Sequence, residues 1–313
     1  MGNEKVTILM ATYNGERYLP EQLESLQQQE YKNWKLIVAD DGSSDRTLEI
    51  LLEFQKKCSN SVEIIKNDPP TGLAKVNFMQ LLVKADTPYI MFCDQDDIWE
   101  PYKVQCTLAY MERIETDINI PILVHSDLTV LEENGKAAHS FFEYQNLPTT
   151  TKLSSLIIQN SVTGCTVMIN KILQERMLQA KEYNKIIMHD YWAALIAAIY
   201  GTVGFIEDHT MLYRQHANNS VGAKASLNPL YLVKRLMQGR RGYKDQMEES
   251  RRQVSYFLAT YEKQYPIEEK KRKFLEDYAL LGTRNKFYRI RFYIRNEVYK
   301  RGFIRILMQF IWG

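Results

Sequence analysis

Trp34-Lys35-Leu36-Ile37-Val38-Ala39-Asp40-Asp41-Gly42-Ser43-Ser44-Asp45-Arg46-Thr47 passes from an apolar β run through an acidic, glycine-containing turn into a helix start. The helix it opens carries Leu48, Ile50, Leu51, Leu52 and Phe54. The same unit recurs on either side. Val6–Thr12 reads as a strand, and Tyr18, Leu19, Leu23 and Leu26 then recur at helical spacing. Downstream, Val62–Ile65 predicts a third strand, Leu73–Val83 a helix, Tyr89–Cys93 a fourth strand and Ile122–His125 one more. Strands that are apolar on both faces, alternating with amphipathic helices, predict an α/β fold with a mostly parallel central sheet covered on both sides.

After about residue 140 the rhythm changes. Val162–Ile169 predicts a strand, and Lys171–Gln179 and His189–Ile199 predict helices. From about residue 228 the pattern is helical and charged, with a break expected at Arg240-Arg241-Gly242. The composition is that of a folded globular chain: 313 residues, 45% hydrophobic, 25% charged and 12% aromatic. A net charge of +2 gives no global field to attract nucleic acid. Cys58, Cys93, Cys106 and Cys165 form no CxxC, so a reducing compartment and no disulfide framework are expected. The start, Met-Gly-Asn-Glu-Lys, has no apolar leader, and Trp192–Ile206, broken by Gly201 and Gly204, falls short of the roughly 20 residues of a membrane span. A cytoplasmic chain, soluble or peripheral at the inner face of the cell membrane, is expected.

In open α/β sheets, ligands bind beyond the carboxyl ends of the strands. Here those ends carry Thr12-Tyr13-Asn14-Gly15-Glu16, Asp40-Asp41-Gly42-Ser43-Ser44-Asp45 and Asp94-Gln95-Asp96-Asp97. Each cluster alone is also what an ordinary turn or helix cap looks like; three on successive strands are harder to attribute to capping. Carboxylates one residue apart can hold a hard divalent cation that bridges phosphate oxygens. No GxxxxGK[ST] and no GxGxxG occurs, which argues against a P-loop ATPase and a dinucleotide-dependent oxidoreductase.

Ile8-Leu9-Met10-Ala11-Thr12-Tyr13-Asn14-Gly15, Val38–Asp45, Phe92-Cys93-Asp94-Gln95-Asp96-Asp97-Ile98-Trp99 and Met188-His189-Asp190-Tyr191-Trp192 resemble, in order and spacing, the family 2 inverting glycosyltransferases of GT-A fold. The likeness covers about residues 5–220. Within the family, Cys93–Trp99, His189–Trp192 and Tyr213-Arg214-Gln215-His216 are similar to bacterial rhamnosyltransferases of surface polysaccharide synthesis. The resemblance implies a glycosyltransferase domain over residues 1–225, with a nucleotide-binding half over about 1–130 and an acceptor half over about 131–225. Residues 226–313 would form a helical, basic extension. It implies that Thr12, Tyr13, Asn14 and Glu16 line the nucleotide pocket, that Asp41 accepts from the base N3–H, and that Asp94 contacts the sugar nucleotide. It further implies that Asp96 binds Mn²⁺ or Mg²⁺ with His216 near the metal, and that Asp190 is the base. His189 stands where the family commonly has Glu.

The implied reaction is metal-dependent, inverting transfer of L-rhamnose from dTDP-rhamnose to a surface polysaccharide or lipid-linked glycan. The alternatives are a UDP-hexose donor, or a catalytically idle sugar-nucleotide-binding partner of a membrane assembly complex. Taken alone, without the other motifs, Asp190 reads as a helix N-cap. His125, His139 and His209 read as structural or solvated, the cysteines as small buried hydrophobes, and Asp127 as a turn residue or an acceptor contact.

Residues 284–313 hold Arg284, Lys286, Arg289, Arg291, Arg295, Lys300, Arg301 and Arg305 against Glu297 alone, a local charge of +7 that leaves −5 on the rest of the chain. Phe287, Ile290, Ile294 and Val298 recur at helical spacing, followed by Phe303, Ile306, Leu307, Phe310 and Trp312. A basic amphipathic tail fits an anionic membrane surface; packing on the body or on a second copy in a homodimer is the competing reading. A chain ending after about Gly282 is expected to fold without it.

Overall fold

The computed structural model describes residues 4–132, 137–216 and 229–313, with the side chains of residue 138 and residues 229–238 left out. The predicted alternation is present. Strand β1 (Val6–Thr12) leads to helix α1 (Leu19–Gln27), β2 (Trp34–Asp40) to α2 (Thr47–Lys57), and β3 (Val62–Lys66) to α3 (Ala74–Leu82). Then come β4 (Tyr89–Asp94), the two-residue β5 (Ile98–Trp99), α4 (Lys103–Ile114), β6 (Ile122–Leu131), β7 (Ala137–Ser140), and the short α5 (Phe141–Gln145) and α6 (Leu153–Leu156). Strand β8 (Met168–Asn170), α7 (Lys171–Met177), α8 (His189–Tyr200) and β9 (Thr202–Arg214) complete the sheet region. Four helices end the chain: α9 (Pro229–Tyr261), α10 (Glu269–Ala279), α11 (Lys286–Arg295) and α12 (Phe303–Trp312).

The strands lie in the order β3-β2-β1-β4-β8-β6-β9-β5, with β7 beside β6. Strands β1 to β4 run parallel, β8 is antiparallel to both of its neighbours, and β6 runs parallel to β9. Alternate residues divide between the two faces, as the pleat requires. Ile8, Met10, Leu36, Val38 and Met91 pack with Leu23, Leu26, Leu51, Val104 and Met111 from α1, α2 and α4. Leu9, Ile37, Ile90 and Phe92 pack with Phe78, Leu82, Trp192 and Ile196 from α3 and α8.

Three expectations change. The predicted strand Val162–Ile169 is mostly a turn, with a 3₁₀ segment at Gly164–Thr166 and only Met168–Asn170 in the sheet. Strand β9 was not foreseen at all, because the sequence reads Gly201 and Gly204 as interruptions of one apolar stretch. Gly201 is the turn between α8 and β9, where a Cβ would sit 1.8 Å from the Pro121 carbonyl oxygen. And α9 runs unbroken through Arg240-Arg241-Gly242. A helical glycine costs about 1 kcal/mol, which is offset by the stripe of Tyr243, Met247, Val254 and Phe257 that α9 buries.

The tail belongs to the same core. Tyr243, Phe257, Leu275, Tyr278, Phe292, Tyr293 and Val298 share one apolar cluster with Trp192 and Ile196 of α8. The expectation that the chain folds without residues beyond Gly282 is therefore corrected: Tyr293 and Val298 are fully buried, and removing them opens the core.

Candidate active site

The register of β1, β2 and β4 sets Thr12 beside Asp40 and Ala11 beside Asp94, so all three acidic or polar turns leave the sheet at one edge. They open into a cleft of about 2310 Å³. Of the residues singled out by sequence, Thr12, Tyr13, Asn14, Asp41, Asp94, Asp96, Asp190 and His216 all line it. Glu16 does not: its carboxylate accepts from the Arg46 N–H at 3.0 Å, tying the turn after β1 to the start of α2. Thr12 is buried and its hydroxyl donates to Asp40 at 3.1 Å. The Asn14 side-chain oxygen accepts from the Ser44 N–H at 2.9 Å, locking the first two turns together. Tyr13 is 59% exposed and presents its ring to the cleft mouth.

Asp41 lines the cleft with both carboxylate oxygens hydrogen-bonded. One carboxylate oxygen accepts from Asn67 Nδ2 (3.0 Å) and the Thr71 N–H (2.6 Å). The other accepts from the Thr71 hydroxyl (3.0 Å) and the Gly72 N–H (2.8 Å). Burial pushes this carboxyl up, but the Asn67, Thr71 and Gly72 donors outweigh it and hold it below the ordinary range. Four donors use the lone-pair positions a carboxylate has, so Asp41 fastens the segment after β3 across the cleft edge.

At the end of β4, the Asp96 carboxylate meets His216 Nε2 at 2.7 Å. His216 arrives from the end of β9, 120 residues away, and stacks on Tyr18 with ring centroids 4.8 Å apart. Arg214 clasps the same corner, donating to the Asp96 carbonyl at 3.1 Å and to Glu21 at 2.5 Å. Asp94 lies beside this pair; burial first, then the charges of Asp96 and Asp190, pushes its carboxyl up. The Asp96 carboxylate and the His216 imidazole, in contact at this edge, are donors that could hold Mn²⁺, and the carboxylate alone suits Mg²⁺. Asp97 follows beneath, with one carboxylate oxygen, an Asp94 oxygen and the Cys165 thiol all within 4.8 Å of one another. It is fully buried, accepts from the Arg214 N–H at 3.2 Å, and its carboxyl is pushed well up by burial and by Asp96 and Asp94.

Asp190 stands in the first turn of α8, whose N-cap is Met188, so it is not the capping residue. Its carboxylate accepts from the N–H of Tyr191 at 2.6 Å. Burial pushes the carboxyl up to about 6, and backbone donors at Tyr191 and Gly164 draw it back only in part. That is the range in which a carboxylate serves as a base near neutral pH. Its neighbour His189 is buried, with burial pushing its imidazole down to about 3, and its ring packs against Phe78 at 4.3 Å and edge-on to Phe92 at 4.7 Å.

The far wall of the cleft was not legible in the sequence. Tyr243 and Gln246 of α9, Lys300, and Ile304, Arg305 and Met308 of α12 line it. Arg305 donates to the Asn146 carbonyl at 3.0 Å and Lys300 to Gln246 at 2.9 Å. Lys103, also unforeseen, is fully buried beneath the site; it donates to the Thr210 hydroxyl at 2.9 Å, and burial pushes its ammonium down to about 8. Asp127 does not line the cleft: it accepts from the Leu128 N–H at 2.7 Å and from the Ser140 hydroxyl, fixing the β6–β7 corner. His125 is core, His209 is half-exposed against Thr129, and Cys93 and Cys165 are buried free thiols. The domain boundary expected near residue 225 lies outside the described residues.

The model of the family described as glycosyl transferase family 2 matches residues 7–221, which span this cleft edge from β1 past His216. The chain belongs to glycosyl transferase family 2. It is 32% identical over 237 residues to the dTDP-rhamnosyl transferase RfbG of Shigella flexneri, covering 71% of this chain and 76% of that one. It is also 33% identical over 111 residues to the UDP-Glc:alpha-D-GlcNAc-diphosphoundecaprenol beta-1,3-glucosyltransferase WfgD of Escherichia coli, covering 36% of this chain and 42% of that one. Among solved structures, S. aureus TarS 1-349 in complex with UDP superposes with a TM-score of 0.60 at 16% identity, over 88% of this chain and 70% of that one. The mannosyltransferase PcManGT of Pyrobaculum calidifontis, solved with GDP-Man and Mn²⁺, gives 0.55 at 14% identity over 93% and 73%. These structural neighbours share the GT-A fold expected for the family 2 domain. Among the described residues, no helix of this family 2 enzyme is long and apolar enough to cross a membrane.

Proposed function

We propose that the protein is a metal-dependent, inverting glycosyltransferase that moves L-rhamnose from dTDP-rhamnose to a surface polysaccharide or lipid-linked glycan acceptor. The observation that carries this reading is the convergence of Asp190 and the Asp94–Asp96–His216 corner on one cleft, close enough for the Asp190 charge to push Asp94 up. The dTDP-rhamnosyl transferase relative supports the donor.

Asp190 takes the proton of an acceptor hydroxyl, whose oxygen attacks the anomeric carbon from the face opposite the leaving diphosphate. One displacement of this kind inverts the anomeric centre. A divalent cation held by Asp96 and His216, with Asp94 beside it, would neutralise charge on the departing diphosphate. Tyr13, Thr12 and Asn14 line the nucleotide end. Asp41 contributes by holding Thr71 and Gly72 at the pocket edge, and it reads the base N3–H only if one of its present donors gives way.

A second reading, with a UDP-hexose donor, is supported by the glucosyltransferase relative; dTDP and UDP present the same N3–H edge. A third, an idle nucleotide-binding partner, predicts binding without turnover. The test is a panel of dTDP-rhamnose, UDP-glucose and UDP-galactose with Mn²⁺, read by thermal stabilisation and by donor hydrolysis. dTDP-rhamnose should stabilise most and be hydrolysed. Stabilisation by a UDP-sugar alone replaces the donor, and stabilisation without hydrolysis or transfer favours the idle partner.

We infer also that the tail rests on an anionic membrane surface at the cytoplasmic face. Phe303, Leu307 and Ile311 are 81%, 48% and 53% exposed along one side of α12, and Phe287 of α11 is 87% exposed. Arg284, Lys286, Arg291 and Arg295 are exposed beside them in sequence. Lys286 donates to the Ile311 carbonyl at 3.2 Å, which sets the start of α11 against the end of α12. Apolar side chains rimmed by cations fit an interface of acyl chains and anionic headgroups.

A further inference from the structure

His189 is 3% exposed, and neither of its ring nitrogens has a hydrogen-bond partner among the described residues. Buried polar groups in native proteins are almost always paired, and leaving one unpaired costs about 1–3 kcal/mol. Core packing alone gives no reason for an imidazole here, since Phe78, tilted against it, and Phe92, edge-on to it, would accept any flat apolar ring. His125 shares the feature of two unpaired nitrogens, but it does not line the cleft, whereas His189 does.

The placement is informative. His189 Nε2 lies 3.0 Å from the point where a Cβ on Gly164 would sit, and an Asp190 carboxylate oxygen lies 3.6 Å from that point. The lack of a side chain at Gly164 therefore leaves both groups open to one small region of the cleft. Phe92, against which the imidazole packs, is two residues before Asp94 and so on the same face of β4. His189 thus packs on the face of β4 from which Asp94 also projects.

We propose that His189 positions the donor sugar, its neutral imidazole forming a hydrogen bond with a hydroxyl of the transferred ring beside Asp190. The proposal rests on reading the cleft as a nucleotide-sugar site. Because burial keeps the ring uncharged, it holds a hydroxyl without adding charge next to the base.

The test compares Kd for dTDP-rhamnose with Kd for bare dTDP, both with Mn²⁺, in the wild-type, His189→Phe, His189→Gln and His125→Phe proteins. His189→Phe keeps a flat ring and removes the nitrogens, and it should raise the ratio of the two Kd values by about three- to tenfold, the worth of one hydrogen bond. Its Kd for dTDP should be unchanged, its KM for the donor should rise, and His189→Gln should recover part of the loss. His125→Phe should leave the ratio at its wild-type value. As a second measurement on the unmodified protein, the His189 imidazole ¹⁵N resonances should shift on adding dTDP-rhamnose and not on adding dTDP. An unchanged Kd ratio in His189→Phe, or ¹⁵N shifts identical for the two ligands, overturns the proposal alone. A wild-type protein that binds dTDP and dTDP-rhamnose no better than UDP-sugars overturns the donor assignment, and the same ratio taken with UDP-glucose and UDP then decides His189.

Discussion

Asp190 is a carboxyl that burial has moved from the ordinary 3.8 up to about 6. A base must be unprotonated to accept a proton, so the inactive, protonated fraction grows as pH falls through about 6 rather than through the ordinary carboxylate range. kcat/KM should therefore decline tenfold per pH unit on the acidic side of that value. Asp94 is pushed up in part by Asp190, so the limb belongs to the two carboxyls together. Asp190→Asn should reduce turnover by about 10²–10⁴-fold while dTDP binding is kept, measured by steady-state transfer and calorimetry. At the proposed metal corner, Asp96→Asn removes the carboxylate charge facing His216 and should weaken Mn²⁺-dependent donor binding as strongly as EDTA does. If neither treatment changes turnover, the corner is only a turn. Both residues were legible through the family resemblance of Phe92–Trp99 and Met188–Trp192, since taken alone each reads as an ordinary turn or helix-start acid. Their partners were not: that His216 meets Asp96 depends on how β9 returns through the sheet.

The segment after β3 shows how an element end can be set by one side chain. Thr71 and Gly72 direct their N–H groups at Asp41, with Asn67 completing the set. Asp41→Asn substitutes an amide for one acceptor oxygen and turns attraction for two donors into conflict. It should destabilise the protein by about 1–3 kcal/mol in urea unfolding and weaken dTDP binding through movement of residues 67–72. The sign of its pH dependence is fixed by the depressed carboxyl. The contribution is present above the unfolded-state pKa and is lost as pH falls through the lower folded one, so the wild-type and Asn proteins should converge in stability in acid. The sequence marked Asp41 as a strand-end acid but could not tell a ligand contact from a loop anchor, since both need the same acceptor.

For the molecule as a whole, the C-terminal helices are wall as well as extension. Gly239 lets the Trp312 ring approach α9, where a Cβ would come within 2.8 Å of it, and Arg301 donates to the Leu147 carbonyl across the cleft mouth. Truncation is thus a poor test of membrane binding, because it should unfold the core around Phe292, Tyr293 and Val298. Substituting Phe303, Leu307 and Ile311 by Ser leaves those buried residues and the cleft lining intact. The triple variant should keep its melting temperature and its hydrolysis of dTDP-rhamnose, yet lose binding to vesicles of phosphatidylglycerol. Wild-type binding should be released by salt, as screening requires. If vesicle binding is unchanged while a dimer dissociates, the face is a contact between copies.

By itself the sequence determined the layered α/β fold, the strand ends that carry the site and the family, because strand and helix periodicities and turn chemistry are local properties read within a few residues. The register that aligns Thr12, Asp40 and Asp94 follows nearly as directly from parallel strands of similar length. Tertiary structure alone decided what meets across the cleft: His216 on Asp96, four donors on Asp41, and α9 and α12 as the opposing wall. It also decided that Gly201 starts a strand and Gly242 does not end a helix. Such outcomes turn on close approach and burial between segments tens to hundreds of residues apart. A glycine that breaks local periodicity looks the same in sequence whether it ends an element or makes room for a neighbouring group.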